Sequence, residues 1–203
     1  NATQRPIYSN FGAPINLTRT LTVTETKTKT EATAETCPYK GLQYFDCDDA
    51  DYFYGREELT DNLLNKIRQD NFLAILGASG SGKSSVLRAG LIHQLQLGHK
   101  LANSKDWQVL ITVPTEHPLK RLAELFVDSN LPQLDKAEQL GKAERLLTEG
   151  GEGLRRLVQT AETSRVVLII DQFEEVFTLC QNNEEREKFF QCILGALTTI
   201  ENK

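Results

Sequence analysis

Methionine is absent from all 203 residues. Without a natural start residue, the sequence reads as an excerpt from a longer protein. Cysteine is sparse: Cys37, Cys47, Cys180 and Cys192 are scattered with no zinc-type pairing. That argues against a metal or disulfide framework and for thiols that stay reduced. No apolar run approaches the roughly 20 residues that cross a bilayer, and no signal peptide is visible, so a cytoplasmic location is expected. Excess positive charge is missing too. The formal net charge is −5, and no patch interleaves basic residues with aromatics, which argues against non-specific nucleic-acid binding or docking on an anionic membrane. His93, His99 and His117 stand alone and read as surface residues rather than ligands. Asn1-Ala2-Thr3 and Asn16-Leu17-Thr18 fit a glycosylation triplet, which matters only in a secreted chain.

What is present falls into two parts. Residues 1–36 are of low complexity, with threonine at every even position from Thr18 to Thr30. Period two and β-branching would permit a strand with a threonine face. Polar composition and few large apolar residues favour a flexible, solvated linker. Tyr8, Phe11, Ile15 and Leu17 read as the end of a preceding domain. Beyond tethering, no function is legible there.

The second part carries the chemistry. Gly77-Ala78-Ser79-Gly80-Ser81-Gly82-Lys83-Ser84, with Ser85 beside it, fits G-x-x-x-x-G-K-[ST] at every position. Phe72-Leu73-Ala74-Ile75-Leu76 predicts a short buried strand entering it. Residues 82–97 predict a helix leaving it, with Val86, Leu87, Ala89, Gly90, Leu91, Ile92 and Leu95 as a wide apolar face. A helix N-terminus has unpaired N–H groups and partial positive charge, so strand–loop–helix aims donors at a phosphate. Glycines allow successive N–H groups to form a concave nest. Lys83 would reach the β- and γ-phosphates of ATP or ADP, and the Ser84 hydroxyl would ligate Mg²⁺.

Val166-Val167-Leu168-Ile169-Ile170-Asp171 supplies the other half. Five aliphatic residues in a row suit a strand buried on both faces, with a carboxylate at its C-terminal end. Ligands of open α/β sheets bind outside those ends. Asp171 is placed to hold Mg²⁺ through water, opposite Ser84. Glu174 and Glu175 follow. Either could deprotonate a water for attack on the γ-phosphate, or both are favourable first-turn acids of a helix over 173–180. Gln172 stands where many ATPases have a glutamate; an amide orients water but is a poor base.

Asp171-Gln172-Phe173-Glu174-Glu175 resembles the extended acidic motif of STAND-class signal-transduction NTPases, whose relatives include the NACHT and NB-ARC domains. Cys37-Pro38-Tyr39-Lys40-Gly41-Leu42-Gln43-Tyr44-Phe45, then Tyr52-Phe53-Tyr54-Gly55-Arg56-Glu57, resembles the lead-in of the novel STAND NTPases of bacterial multidomain proteins. The resemblance covers about residues 37–203. It implies that Gly55 and Arg56 help cover the nucleotide base. It also implies effector and sensor domains outside this chain, and a nucleotide-dependent homo-oligomer. Related domains continue into a further strand with a sensor arginine, a helical region and a winged helix, none of which precedes Lys203. That strand normally lies between the loop strand and the Asp171 strand, so a gap in the sheet is expected.

Elsewhere the pattern predicts a turn or short helix over 48–53, a strand over 107–113 stopped by Pro114, and helices over 57–69, 118–127, 135–147, 153–161 and 184–200. Leu59, Leu63, Leu64 and Ile67 should face inward on the first of these. Phe189, Phe190, Ile193, Leu194 and Leu197 should do so on the last, with Glu184 and Lys188 paired at i,i+4. The fold expected is a three-layer α/β P-loop NTPase core with a mainly parallel sheet. A linker over 1–36 precedes the N-terminal part of a STAND-type domain over 37–203. The function expected is Mg²⁺-dependent ATP binding and slow hydrolysis, acting as a conformational switch. A GTPase is disfavoured, because Asp171-Gln172-Phe173-Glu174 lacks the glycine of D-x-x-G and no N-K-x-D occurs. A non-hydrolysing nucleotide-bound scaffold and a phosphotransferase are the alternatives.

Overall fold

A computed structural model of the protein describes residues 40, 41 and 43–198, together with the backbone of residues 7–8 and 14–15. The threonine-alternating run 18–30 and the lead-in residues Cys37-Pro38-Tyr39 lie outside the described residues. Four strands form one sheet: Ile7–Tyr8 (β1), Pro14–Ile15 (β2), Gln108–Thr112 (β3) and Val166–Ile170 (β4), in the order β2-β1-β3-β4. β3 and β4 are its longest parallel pair, in register from Gln108 opposite Val166 to Thr112 opposite Ile170. β1 joins β3 in parallel through Tyr8 and Leu110, and β2 pairs antiparallel with β1. Two short pieces of the segment read as linker thus extend the sheet.

Period two along β3 and β4 divides the interior into two cores. Val109, Ile111, Val167 and Ile169 point to one face. There they meet Leu63, Leu64 and Ile67 of Glu57–Gln69 (α1), and Val86, Leu91, Ile92 and Leu95 of the helix after the glycine-rich loop. Leu110, Val166, Leu168 and Ile170 point to the other face. They meet residues of Pro118–Glu124 (α4), Gln133–Leu147 (α5), Gly151–Gln159 (α6) and Asn183–Thr198 (α8), including Leu122, Leu147, Leu154, Phe189 and Cys192. Helices on both faces of a parallel sheet make the α/β arrangement that the sequence predicts.

The helix after the loop is continuous but not uniform. It runs as Lys83–Ser85 (α2), a π-helical stretch Val86–Ile92, and His93–Leu97 (α3). Val86, Arg88, Ala89, Gly90, Leu91 and Ile92 are all buried. The wider π turn spreads consecutive side chains in more directions, which suits a helix covered by both α1 and the sheet. Gly90 permits the closest approach: a Cβ there would lie 2.7 Å from Thr60 Oγ1 of α1.

Three expectations are corrected. The run 72–76 has no ladder partner among the described residues and is not a strand. Leu73 and Ile75 pack half-buried on the first core, but Phe72 is 61% exposed and Leu76 91%. Hydrophobic alternation is present there; among the described residues, a neighbouring strand to bond with is not. The chain on either side of this run is nevertheless tied to the residues that flank β4. Arg165 Nη2 donates to Asp70 O at 3.3 Å, and Ser84 Oγ to Asp171 Oδ1 at 3.0 Å. β4, read as buried throughout, is fully buried only at Ile169, because its edge away from β3 is unpaired among the described residues. The inward faces of α1 and α8 each shift by a residue or two. Thr60 is buried where Leu59 is exposed, and Cys192 is buried where Leu194 is exposed. Glu184 and Lys188 do pair, at 2.8 Å.

On the second face, α6 meets α8 through glycine. A Cβ on Gly151 would collide with the Gly195 backbone, and one on Gly153 with the Leu146 carbonyl. Gly151→Ala should therefore cost about 1–3 kcal/mol, the usual toll of overpacking. Gly141→Ala, at an open position within α5, should instead stabilise by about 0.5–1 kcal/mol through helix propensity. Urea midpoints of the two variants should move in opposite directions; movement in the same direction would contradict this packing.

Candidate functional site

The loop 77–82 closes on itself through backbone and lysine. Ser81 N donates to Ala78 O at 3.2 Å. Gly80 (φ 74°) and Gly82 (φ 86°) take the left-handed conformation that disfavours any Cβ. No atom lies within 4 Å of where a Cβ would sit on either, so the loop is open on that side. Gly77 is tight instead, with Ser81 Oγ 2.9 Å from its Cβ position. Lys83 Nζ donates to Gly77 O at 2.8 Å and to Ala78 O at 3.0 Å. The ammonium is thus folded over the loop. Ser85 is buried and its Oγ accepts from Phe45 N at 3.1 Å.

Asp171 follows directly on β4, and its N–H continues the ladder to Thr112 O at 2.9 Å. This fixes its backbone at the C-terminal end of the parallel pair. The carboxylate is only 4% exposed. Its Oδ1 accepts from Ser84 Oγ and from Gln172 N, both at 3.0 Å. Its Oδ2 is buried with no hydrogen-bond partner, and the Arg88 guanidinium lies 3.7 Å away. Gln172 itself is exposed at φ 51°, a strained conformation for a residue other than glycine. Glu174 is exposed and Glu175 half-buried where Glu175–Thr178 (α7) begins. Among the described residues, no hydrogen bond joins either side chain to the loop.

Arg88 is the site residue that pattern reading missed. It is 2% exposed in the π-helical stretch, stacks 4.4 Å from the Tyr44 ring centroid, and reaches Asp46 Oδ2 at 3.8 Å. The visible signal was one charge within an otherwise apolar run, Val86-Leu87-Arg88-Ala89-Gly90-Leu91-Ile92. Its neighbours show that the lead-in segment lies on the loop helix. Asp46 caps the short helix Cys47–Tyr52, and Cys47 Sγ donates to Arg88 O at 3.3 Å.

Gly55 and Arg56 sit elsewhere on the same layer. Gly55 N donates to Glu57 Oε1 at 2.9 Å, and Arg56 O accepts from Thr60 N and Thr60 Oγ1, both at 2.9 Å. They line a shallow depression with Glu57, Glu58, Leu59 and Asn62, which contains no loop residue. The structure therefore brings Lys83, Ser84 and Asp171 together, and leaves Gly55 and Arg56 in a separate depression.

A hydroxyl and a carboxylate in direct contact are hard oxygen donors, and the open glycine-rich loop adjoins them. These residues fit a nucleotide with Mg²⁺, which usually takes one or two protein groups and completes its shell with phosphates and water. Among the described residues, no group of three or more His, Cys, Asp or Glu is arranged to hold a metal by itself. Cys47, Cys180 and Cys192 are free thiols, and no described helix is long and apolar enough to cross a membrane.

An α/β sheet with a glycine-rich loop beside an acidic strand end defines a class of nucleotide-binding domain. The family model described as Novel STAND NTPase 1 matches residues 38–202. The chain belongs to that family, and is an NTPase domain of the STAND type. No curated protein and no solved structure matches it.

The seating of the lead-in segment is open to a direct check. Burial raises the Cys47 thiol to about 12, reinforced by the neighbouring Asp46 carboxylate. Only the thiolate is the nucleophile. Alkylation of Cys47 at neutral pH should thus be at least about a hundredfold slower in the folded protein than in urea. Mass spectrometry of the Cys47 peptide reads this; labelling at the rate of an exposed thiol would unseat the segment from Arg88.

Proposed function

We propose that this chain is a P-loop NTPase core that binds ATP with Mg²⁺ and hydrolyses it slowly. Its nucleotide state acts as a conformational switch for sensor and effector domains of a larger signalling or defence protein. The observation that carries this reading is the 3.0 Å bond from Ser84 Oγ to Asp171 Oδ1, joining groups 87 positions apart. The bond sets a hydroxyl and a carboxylate, oxygen donors of the kind Mg²⁺ takes, beside the open glycine-rich loop.

Each residue has a distinct task. Lys83 exchanges its two loop carbonyls for the β- and γ-phosphate oxygens. Backbone N–H groups around Gly80 and Gly82 and at the start of α2 donate to the phosphates. Ser84 and Asp171 are the residues that would hold Mg²⁺, which would supply charge neutralisation to the phosphates. Gln172 orients water, and Glu174 or Glu175 takes its proton. Among the described residues neither glutamate side chain hydrogen-bonds to the loop, which favours slow turnover and is also what a non-hydrolysing scaffold would show. A ligand moves a conformational equilibrium only by its differential affinity for the two states. A tenfold preference supplies about 1.4 kcal/mol, enough to bias a balanced switch but not to overturn a strongly closed one. A second input from outside this chain is therefore part of the proposal, with ATP and trigger favouring a homo-oligomer in the cytoplasm.

Lys83→Ala should lower ATP affinity at least about a hundredfold, or roughly 2.7 kcal/mol, by calorimetry with Mg²⁺. Unchanged affinity would remove the loop from the phosphate-binding role. Glu174→Gln or Glu175→Gln should leave ATP bound and cut phosphate release at least about a hundredfold at whichever position is the base. Wild-type turnover in both variants would assign these acids to the helix end. No turnover in the wild type, with ATP still bound, would favour the scaffold.

A further inference from the structure

The Asp171 carboxylate divides its two oxygens unequally. Oδ1 has two donors, Ser84 Oγ and Gln172 N. Oδ2 has none, and Arg88 Nε, 3.7 Å away, is likewise buried without a hydrogen bond. Two buried, opposite charges therefore face each other beyond hydrogen-bond length, so attraction rather than a bond sets their alignment. On its other side Arg88 is held by the lead-in segment. The Tyr44 ring lies under its guanidinium at 4.4 Å, and Asp46 Oδ2 is 3.8 Å from Nη1. Asp46 is itself fixed, since its Oδ1 accepts from Cys47 N at 2.8 Å. Arg88 thus stands between two carboxylates, one in the lead-in segment and one at the strand end.

We propose that Arg88 is a positioning residue. It holds Asp171 Oδ2 so that Oδ1 stays directed at Ser84, and so makes cation affinity at the site depend on how Tyr44 and Asp46 are seated. Without Arg88, Oδ2 is a buried charge with nothing opposite it, and the carboxylate turns to share the donors of Oδ1. The Ser84-facing oxygen is then lost to the ion. Lysine keeps the charge but cannot stack flat on Tyr44 while reaching two carboxylates. Loosening the lead-in segment would free Arg88 to shift fully onto Asp171, which is a physical route from that segment to the metal end of the site.

This inference rests on the nucleotide reading above, and one experiment separates the two. ATP affinity of the full chain is measured by calorimetry with saturating Mg²⁺ and again with EDTA; the ratio is the magnesium increment. Arg88→Gln should reduce the increment about tenfold, the usual scale for groups that orient a metal ligand, with EDTA affinity kept within about twofold. Arg88→Lys should recover part of it. Tyr44→Leu, which leaves every charge in place, should reduce it about threefold. An unchanged increment in Arg88→Gln overturns the proposal, as does an equal loss with and without Mg²⁺, which would mean general support of the fold. If Arg88→Gln does not fold, an unchanged increment in Tyr44→Leu overturns it instead. A wild-type chain with no increment at all sinks the nucleotide reading first, and this proposal with it.

Discussion

A carboxylate taken out of water at the end of a parallel sheet is the constraint around which this domain is organised. Burying an ion costs several kcal/mol even after the surroundings relax, so Asp171 must be met by donors and counter-charge. They come from separate parts of the chain. The hydroxyl of Ser84 arrives on the loop helix, Gln172 N–H from the strained turn after β4, and the Arg88 guanidinium from the π-helical stretch. The ladder bond from Asp171 N to Thr112 O sets where all three must meet. Because Oδ2 gets charge but no hydrogen bond, the arrangement is compensated without being saturated. On the proposed reading of the site, that slack is what lets a cation in.

The two cores hold this meeting point from opposite faces. On one face, α1 approaches the loop helix closely at Gly90, which brings the lead-in segment within reach of Arg88 and Ser85. On the other, α6 and α8 cross at Gly151 and Gly195, and the Phe173, Phe177, Phe189 and Phe190 rings pack beside the turn that carries Gln172. Membership of the Novel STAND NTPase 1 family gives the site its class. The packing holds its loop, strand end and lead-in segment against one another.

The loop and its acid were legible because each is a local pattern. Eight consecutive residues spell the loop, and five aliphatic residues before Asp171 spell the strand. The span 57–69 was read to the residue, since amphipathic spacing and the acids Glu57 and Glu58 mark its start. The remainder depended on contacts that the sequence does not display. Leu73 and Ile75 alternate with Phe72 and Leu76 as strand residues do, but alternation cannot reveal whether a partner strand lies alongside. Cys192 is buried and Leu194 exposed on α8, a helix that the α6 backbone approaches closely at Gly195, and that approach is not written in the local pattern. Arg88 was passed over because its partners, Tyr44, Asp46 and Asp171, belong to segments far from it in sequence.

The central claim is that Ser84 and Asp171 together make a cation site. A crystal structure of the protein grown with Mg²⁺ and a non-hydrolysable ATP analogue tests it most directly. The account predicts that the 3.0 Å bond between Ser84 Oγ and Asp171 Oδ1 opens, with both oxygens turned to an ion between them and Lys83 Nζ moved from the loop carbonyls to the phosphates. A nucleotide bound elsewhere, with that bond and the Lys83 contacts intact, would contradict it.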